Sequence, residues 1–207
     1  MTIYNKEIVN YLTHIAPKED EILLEIHAQA KEMGVPSMSA IEGNFLAIVA
    51  KAIKAKRILE LGTGLGYSTV YFAKSLPADG RIFTVEREPK YVAQASANFK
   101  KASLHDKIEI VQNETTPFLE KIDDKFDLIL MDQFKAFYFT DLDNCIKLLN
   151  KGGLLLVHNA LEGGWLDAEV SIESLTLKKF TKLFLENIEL ESIILPMMEG
   201  FFLGVKK

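Results

Sequence analysis

Short apolar runs alternate with amphipathic segments from residue 57 onward, and this alternation restricts the possible folds more than any other feature. The segments predicted to be strands are 57–61, 81–86, 108–112, 126–132, 154–158, 189–195 and 201–205. Helical segments at 68–76 and about 89–103 follow the first two, which predicts parallel strands joined by crossover helices. Only five residues separate the last two strands, too few for a crossover helix, so this closing pair is predicted to be antiparallel.

The first 54 residues are predicted to be helical. Acidic residues after Pro17 suit a helix start, and apolar residues then recur at helical spacing up to Ala30. A second helix is predicted from about Glu42 to Lys54. A length of 207 residues suits one α/β domain with a substantial core, and no linker interrupts it. We therefore expect a single domain over 1–207, with N-terminal helices in 1–54 and the catalytic core in 55–207.

Composition excludes several classes of protein. The formal net charge of -5 disfavours a nucleic-acid partner, which usually requires a basic face. Cys145 is the single cysteine, so neither an internal disulfide nor a cysteine zinc cluster can form. The first residues lack the apolar run of a signal peptide, and no apolar stretch is long enough to span a membrane. We expect a cytoplasmic protein without a membrane partner.

A glycine-rich loop lies between the first predicted strand and the helix that follows it. Residues 60–68 read ELGTGLGYS, and glycines without a Cβ atom allow a ligand to approach the backbone. The spacing G-x-G-x-G differs from the G-x-G-x-x-G typical of dinucleotide enzymes. Glu60, before the first glycine, suits a ligand that carries an ammonium group. The alternative is a tight turn with a purely structural role.

Acidic and polar residues close the later strands. Glu86 ends the second strand, where doubly wound folds bind ribose hydroxyls; the alternative is a solvated carboxylate. Asp132, His158 and Asn159 end two later strands, at the edge where open α/β sheets place their chemistry. His158 could instead be a satisfied buried histidine, and Lys135 a surface lysine. Nearby aromatic residues could line an apolar pocket or pack in the core: Phe134, Phe137, Tyr138, Phe139 and Trp165.

These motifs, in this order, resemble the metal-dependent O-methyltransferases that include catechol and caffeoyl-CoA O-methyltransferases. The resemblance covers nearly the whole chain. It implies a Rossmann-like class I methyltransferase sheet of seven strands, mostly parallel with one antiparallel strand, helices on both faces and an N-terminal helical segment. The matching positions are Met38, Ser39, Gly43, 58–64, 66–68, 126–129, 132–135, Tyr138, Leu148, Leu149, Gly152, Gly153, Leu195, Pro196, Gly200, Lys206 and Lys207.

The resemblance also implies a cofactor, S-adenosylmethionine, and the residues that bind it. The methionine end would be held by Glu60, Gly62, Gly64 and Ser68 with the backbone near Met38, and Asp132 would lie beside it. Glu86 would bind the ribose. Asn113 and Glu114 would lie by the adenine, although the family often has Gly-Asp or Gly-Pro there.

Asp132, His158 and Asn159 are the implied ligands of a divalent metal, with Lys135 as a catalytic base or orienting cation. Here the chain departs from the family, which usually has Asp-Asn where this sequence has His158-Asn159. Magnesium and calcium prefer oxygen ligands, whereas imidazole suits manganese, zinc and other softer ions. Two hypotheses follow: His158 helps to bind a softer metal, or it acts as a general base without metal.

The predicted activity is methyl transfer to a hydroxyl of a small, catechol-like acceptor by a homodimeric enzyme. One alternative is methylation of a hydroxylated tRNA base by the same chemistry. Another is a cofactor-binding protein with a degenerate metal site. A nicotinamide-dependent oxidoreductase is disfavoured by the G-x-G-x-G spacing.

Overall fold

A central sheet organises the computed structural model of the chain, which describes residues 5–161 and 172–207. Its seven strands are β1 (Arg57–Leu61), β2 (Arg81–Glu86), β3 (Ile108–Gln112), β4 (Phe126–Met131), β5 (Leu149–His158), β6 (Leu190–Leu195) and β7 (Phe201–Lys206). Their spatial order is β3-β2-β1-β4-β5-β7-β6. The first five are parallel, and β7 runs antiparallel to both β5 and β6. The predicted architecture, including the antiparallel closing pair, is confirmed.

The helices among the described residues pack on both faces of this sheet. They are α1 (Lys6–Ile15), α2 (Glu21–Met33), α3 (Ala40–Ala52), α4 (Tyr67–Ser75), α5 (Pro89–Lys101), α6 (Thr115–Leu119), α7 (Tyr138–Leu148) and α8 (Ile172–Leu185). None of them is long and apolar enough to cross a membrane. Helix α1 lies within the N-terminal segment that was predicted to be helical, whereas α6 and α8 were not predicted.

Alternating residues of the central strands form two cores. Ile58 and Leu128 point towards a cluster that includes residues of α2, α3, α4 and α5. Leu59 and Ile129 point to the other face, where they join residues of α7 and α8. This arrangement follows from the period of two in a β-strand, which sends successive side chains to opposite faces. Because both faces are covered, the chemistry is confined to the ends of the strands.

Strand β5 begins five residues earlier than the prediction of 154–158. Leu149 pairs with Phe126 of β4, and the register shifts before Leu154 pairs with Leu128. The intervening Lys151 and Gly152 are exposed and resemble a turn in sequence. Backbone pairing with β4 therefore extends the strand where the side-chain pattern does not indicate one.

Candidate active site

The glycine-rich loop joins β1 to α4 at the carboxyl edge of the sheet. Gly62 has a φ of +98°, and a Cβ atom there would lie 2.6 Å from the carbonyl oxygen of Asp132. Gly66 has a φ of +90° and starts α4, and a Cβ atom there would lie 2.3 Å from the Phe99 ring. Both positions combine a left-handed backbone with a close neighbour, which only glycine accommodates. The loop is thus pressed against the end of β4.

Glu60 lies beneath this loop with its side chain completely buried. Its carboxylate accepts hydrogen bonds from the hydroxyls of Ser68 and Thr84, each at 2.6 Å, and from the hydroxyl of Thr69. Burial outweighs these three hydrogen bonds and raises the pKa of Glu60 to about 7. Ser68 lines the adjacent cavity and Glu60 does not, so a direct contact between Glu60 and the cofactor stays a prediction.

Exchange of Glu60 for glutamine should change how stability depends on pH in the ligand-free protein. The folded state retains the Glu60 proton up to a pKa of about 7, whereas the unfolded chain loses it near 4.5. Wild-type stability should therefore fall by about 3 kcal/mol relative to Glu60→Gln as the pH rises through this range. Urea unfolding of both proteins at each end of the range measures the difference. Parallel stability curves would show that Glu60 is ionised throughout.

Glu86 closes β2 and faces the same loop. One carboxylate oxygen accepts the Gly64 amide proton at 2.9 Å, and the other accepts the Glu88 amide proton at 2.9 Å. These bonds fix the orientation of the carboxylate at the cavity wall. Each oxygen can accept a further hydrogen bond, so the geometry leaves capacity for ribose hydroxyls.

A third group of residues lies where β3 ends. Asn113, Glu114 and Thr115 line the cavity, at the position predicted for the adenine. Beside them, the Gln133 side chain donates to Asp141 at 3.2 Å, while its Oε1 is buried and has no hydrogen-bond partner among the described residues. A buried unpaired oxygen is costly unless a ligand or water satisfies it. Gln133 was not among the contacts predicted from the sequence.

One cavity of about 650 Å³ joins these groups. It passes from the glycine loop and Glu86 to the segment that follows β4. The predicted site residues on its walls are Met38, Gly62, Gly64, Ser68, Glu86, Asn113, Glu114, Asp132, Lys135 and Asn159. The parallel pairing of β1 with β2 and β4, and of β4 with β5, places the loop, Glu86, Asp132 and Asn159 at one edge. The predicted convergence of these residues is therefore present in the fold.

His158 bridges two carboxylates at the end of β5. Its Nδ1 lies 2.8 Å from Oδ1 of Asp132, and its Nε2 lies 2.9 Å from Oε1 of Glu42. The imidazole is almost wholly buried and stacks at a tilt on Phe201, with ring centroids 4.9 Å apart. Glu42 is held in turn by α3, where it forms a reciprocal capping box with Ser39.

The two carboxylates determine the electrostatics of this bridge. Burial alone lowers the pKa of His158, but the adjacent Asp132 and Glu42 outweigh burial and raise it to about 10. Burial likewise opposes ionisation of Glu42, but the hydrogen bond and charge of His158 bring the pKa of this carboxyl below its ordinary value. An imidazolium between two carboxylates satisfies all three groups.

Comparison with known proteins decides the family. The O-methyltransferase family model matches residues 13–207. This chain belongs to the O-methyltransferase family. It is 30% identical to a catechol O-methyltransferase of Niastella koreensis, over 98% of this chain and 93% of the relative. It is 33% identical to a caffeoyl-CoA O-methyltransferase of Populus kitakamiensis, over 79% and 73% respectively.

A solved structure supports the same assignment. The Streptomyces achromogenes O-methyltransferase TomG, in complex with S-adenosylmethionine, superposes with a TM-score of 0.86 and 26% identity, over 97% of this chain and 96% of that one. The predicted resemblance is confirmed, and so is the prediction of an S-adenosylmethionine-dependent O-methyltransferase.

The donor set of this O-methyltransferase does not fit the metal that the resemblance implies. Each imidazole nitrogen offers a single in-plane position for a proton or a metal, and both positions of His158 point at carboxylate oxygens. Of the three predicted ligands, only Asp132 and Asn159 are then available to bind a metal. Within residues 5–161 and 172–207, no cluster of three or more histidine, cysteine or acidic side chains is arranged to hold a metal.

The segment that follows β4 forms another part of the cavity wall. Lys135 begins a short 3-10 turn, Lys135–Phe137, and lines the cavity three residues after Asp132. Aromatic residues of this segment and of α8 also line it, namely Phe134, Phe137, Tyr138, Phe139 and Phe180. Tyr138 additionally anchors the end of β5 by donating to the His158 carbonyl at 3.0 Å. Trp165 lies outside the described residues.

Glu42 is another residue of the candidate site that the sequence did not indicate. Ser39 and Glu42 have the S-x-x-E spacing of a capping box, which indicates a helix start and nothing more. The partner of Glu42 is 116 residues away in the sequence. No local pattern connects the two.

Proposed function

We propose that this O-methyltransferase transfers a methyl group from S-adenosylmethionine to a hydroxyl of a small aromatic, catechol-like acceptor. The continuous cavity carries the proposal, because it connects the glycine loop and Glu86 with the aromatic segment after β4. A cavity of about 650 Å³ is within the range of small-molecule sites.

The cofactor would lie along the cavity, from the glycine-rich loop to the residues that follow β3. The methionine part would lie along Gly62, Gly64 and Ser68, the ribose at Glu86, and the adenine by Asn113 and Glu114. The unpaired Oε1 of Gln133 supports this orientation, because the exocyclic amine of an adenine could satisfy it.

The acceptor would lie on the side of Lys135. Aromatic side chains there offer apolar faces on which a flat ring can pack. The relatives from Niastella koreensis and Populus kitakamiensis are named for catechol and for caffeoyl-CoA. The names of these relatives and the aromatic side chains of the cavity wall together support an aromatic hydroxyl as the acceptor.

The reaction needs alignment and removal of one proton. The acceptor oxygen forms a bond to the methyl carbon as the carbon–sulfur bond breaks, and the sulfonium becomes a neutral thioether. The hydroxyl proton leaves to a base. We assign Lys135 to this end of the site, as the base or as the cation that orients the hydroxyl, while the cavity aligns the two reactants.

Two measurements test the proposal. Calorimetry should detect binding of S-adenosylmethionine and of its demethylated product, and no comparable binding of NAD. Mass spectrometry should detect methylated product from catechols in a panel that includes simple phenols and hydroxylated tRNA. Binding of NAD alone would refute the cofactor assignment. Methylation of the tRNA alone would replace the acceptor class.

We also propose that the enzyme is a homodimer joined through α1. Large apolar side chains at positions i, i+3, i+4 and i+7 form one exposed stripe on this helix, namely Ile8, Tyr11, Leu12 and Ile15. Such a stripe is typical of a helix that packs against a partner. A second copy of the chain would cover it.

The double variant Ile8→Lys and Leu12→Lys should therefore be monomeric, because two charges would have to be buried in the interface. Light scattering after size exclusion should give twice the chain mass of 23.3 kDa for the wild type and the single mass for the variant. Ile188→Lys, at an exposed position outside α1, is the control and should stay dimeric. A monomeric wild type would contradict the proposal.

A further inference from the structure

We infer that His158 fills the place of the family's divalent metal, so that this enzyme transfers methyl groups without a metal and uses His158 as a positioning residue. The inference rests on the proposed function. It also replaces both sequence-based hypotheses for His158, because the side chain is neither a metal ligand nor a general base in this arrangement.

The first support is the use of both ring nitrogens. Nδ1 meets Asp132 at 2.8 Å and Nε2 meets Glu42 at 2.9 Å. Each ring nitrogen has one in-plane position for a proton or a metal, and both positions are directed at carboxylate oxygens. Neither nitrogen has a position left for a metal or for the proton of the acceptor hydroxyl.

The second support is the position of the ring. Asp132 and Asn159 line the cavity, whereas His158 does not and instead contacts Phe201. A substrate in the cavity would therefore meet Asp132 and not His158.

The third support is the pair of carboxylates that His158 separates. Without His158, the carboxylates of Glu42 and Asp132 would face each other with no partner between them. The resemblance implies a divalent metal at this edge, and here the imidazole lies between the two carboxylates instead. His158 also ties α3 to β4, because Glu42 lies on α3 and Asp132 follows β4. The hydrogen bond to His158 thus fixes the side chain of Asp132, a residue that lines the cavity.

Metal binding is the direct test. Wild-type protein with the demethylated cofactor bound is dialysed against a chelator and then titrated with Mn²⁺, with free Mn²⁺ followed by electron paramagnetic resonance. We expect no stoichiometric binding in millimolar Mn²⁺. His158→Asp should create an all-oxygen set with Asp132 and Asn159 and bind one Mn²⁺ per chain, whereas His158→Asn should bind far less. Stoichiometric binding by the wild type would overturn the inference.

The ring protons give a second measurement that does not depend on a variant folding. In ¹⁵N-labelled wild-type protein at neutral pH, His158 should show two hydrogen-bonded ring N–H resonances, one for each nitrogen. Excess Mg²⁺ or Zn²⁺ should leave both unchanged. A single ring N–H, or loss of one on adding metal, would show that a nitrogen is free to act as ligand or base.

Activity separates failure of this inference from failure of the proposed function. Methylation of a catechol should be the same in excess chelator and in added Mg²⁺. If the cofactor binds and activity falls more than tenfold with chelator and returns with Mg²⁺, the inference is wrong and the proposed function stands. If the cofactor does not bind at all, the proposed function itself is wrong.

Discussion

Replacing Lys135 with alanine is expected to lower kcat by about 10²–10⁴-fold, because general acid–base assistance contributes a factor of this size. Lys135 lines the cavity three residues beyond Asp132, on the side assigned to the acceptor. The Kd for S-adenosylmethionine should change little, because the proposed cofactor contacts, the glycine loop and Glu86, lie elsewhere in the cavity. Turnover with a catechol acceptor and calorimetry with the cofactor measure the two quantities separately.

Lys151→Ala is the matched control for this variant. It removes the same charge from an exposed position near the start of β5, at the opposite end of the strand from His158. Its kcat should equal that of the wild type. If Lys135→Ala retains a rate close to that of this control, Lys135 takes no part in the reaction.

Replacing Glu86 with alanine should weaken binding of S-adenosylmethionine by at least about 100-fold. Two ribose hydroxyls that donate to a carboxylate contribute roughly 1.5–3 kcal/mol each, and every 1.4 kcal/mol is about tenfold in affinity. The substitution also removes the acceptor of the Gly64 and Glu88 amide protons. The glycine loop then loses part of its support, which adds to the effect.

Glu109→Ala removes an exposed carboxylate from the neighbouring strand β3 and serves as the control. Calorimetry should show unchanged affinity for the control and a large loss for Glu86→Ala. Thermal unfolding of both variants checks that the fold is intact. A folded Glu86→Ala protein with wild-type affinity would show that the ribose binds elsewhere.

The sheet could be predicted from sequence because its strands are short apolar runs with clear boundaries. The five residues between β6 and β7 exclude a crossover helix and so require an antiparallel pair. By contrast, the start of β5 was predicted too late, because exposed residues around Lys151 carry no strand pattern. Backbone pairing with β4 decides that boundary.

The same distinction holds within the candidate site. The positions of Gly62, Glu86, Asp132 and Asn159 follow from a simple rule, because parallel strands bring their carboxyl ends to one edge. The unpaired oxygen of Gln133 does not follow from any such rule. Its burial depends on how the segment after β4 packs beside Asp141.

Sequence alone determined that this chain is an α/β protein with a glycine-rich loop after the first strand, because strand periodicity and loop glycines are local properties. It also marked His158 as a departure from the family. Only the tertiary structure decided which side chains His158 contacts. Glu42 and His158 lie 116 residues apart in the sequence. They meet because the start of α3 lies beside the carboxyl ends of the paired strands β4 and β5, where Asp132 and His158 are located. A hydrogen bond between two buried side chains depends on ångström-scale packing, which residue spacing along the chain does not encode.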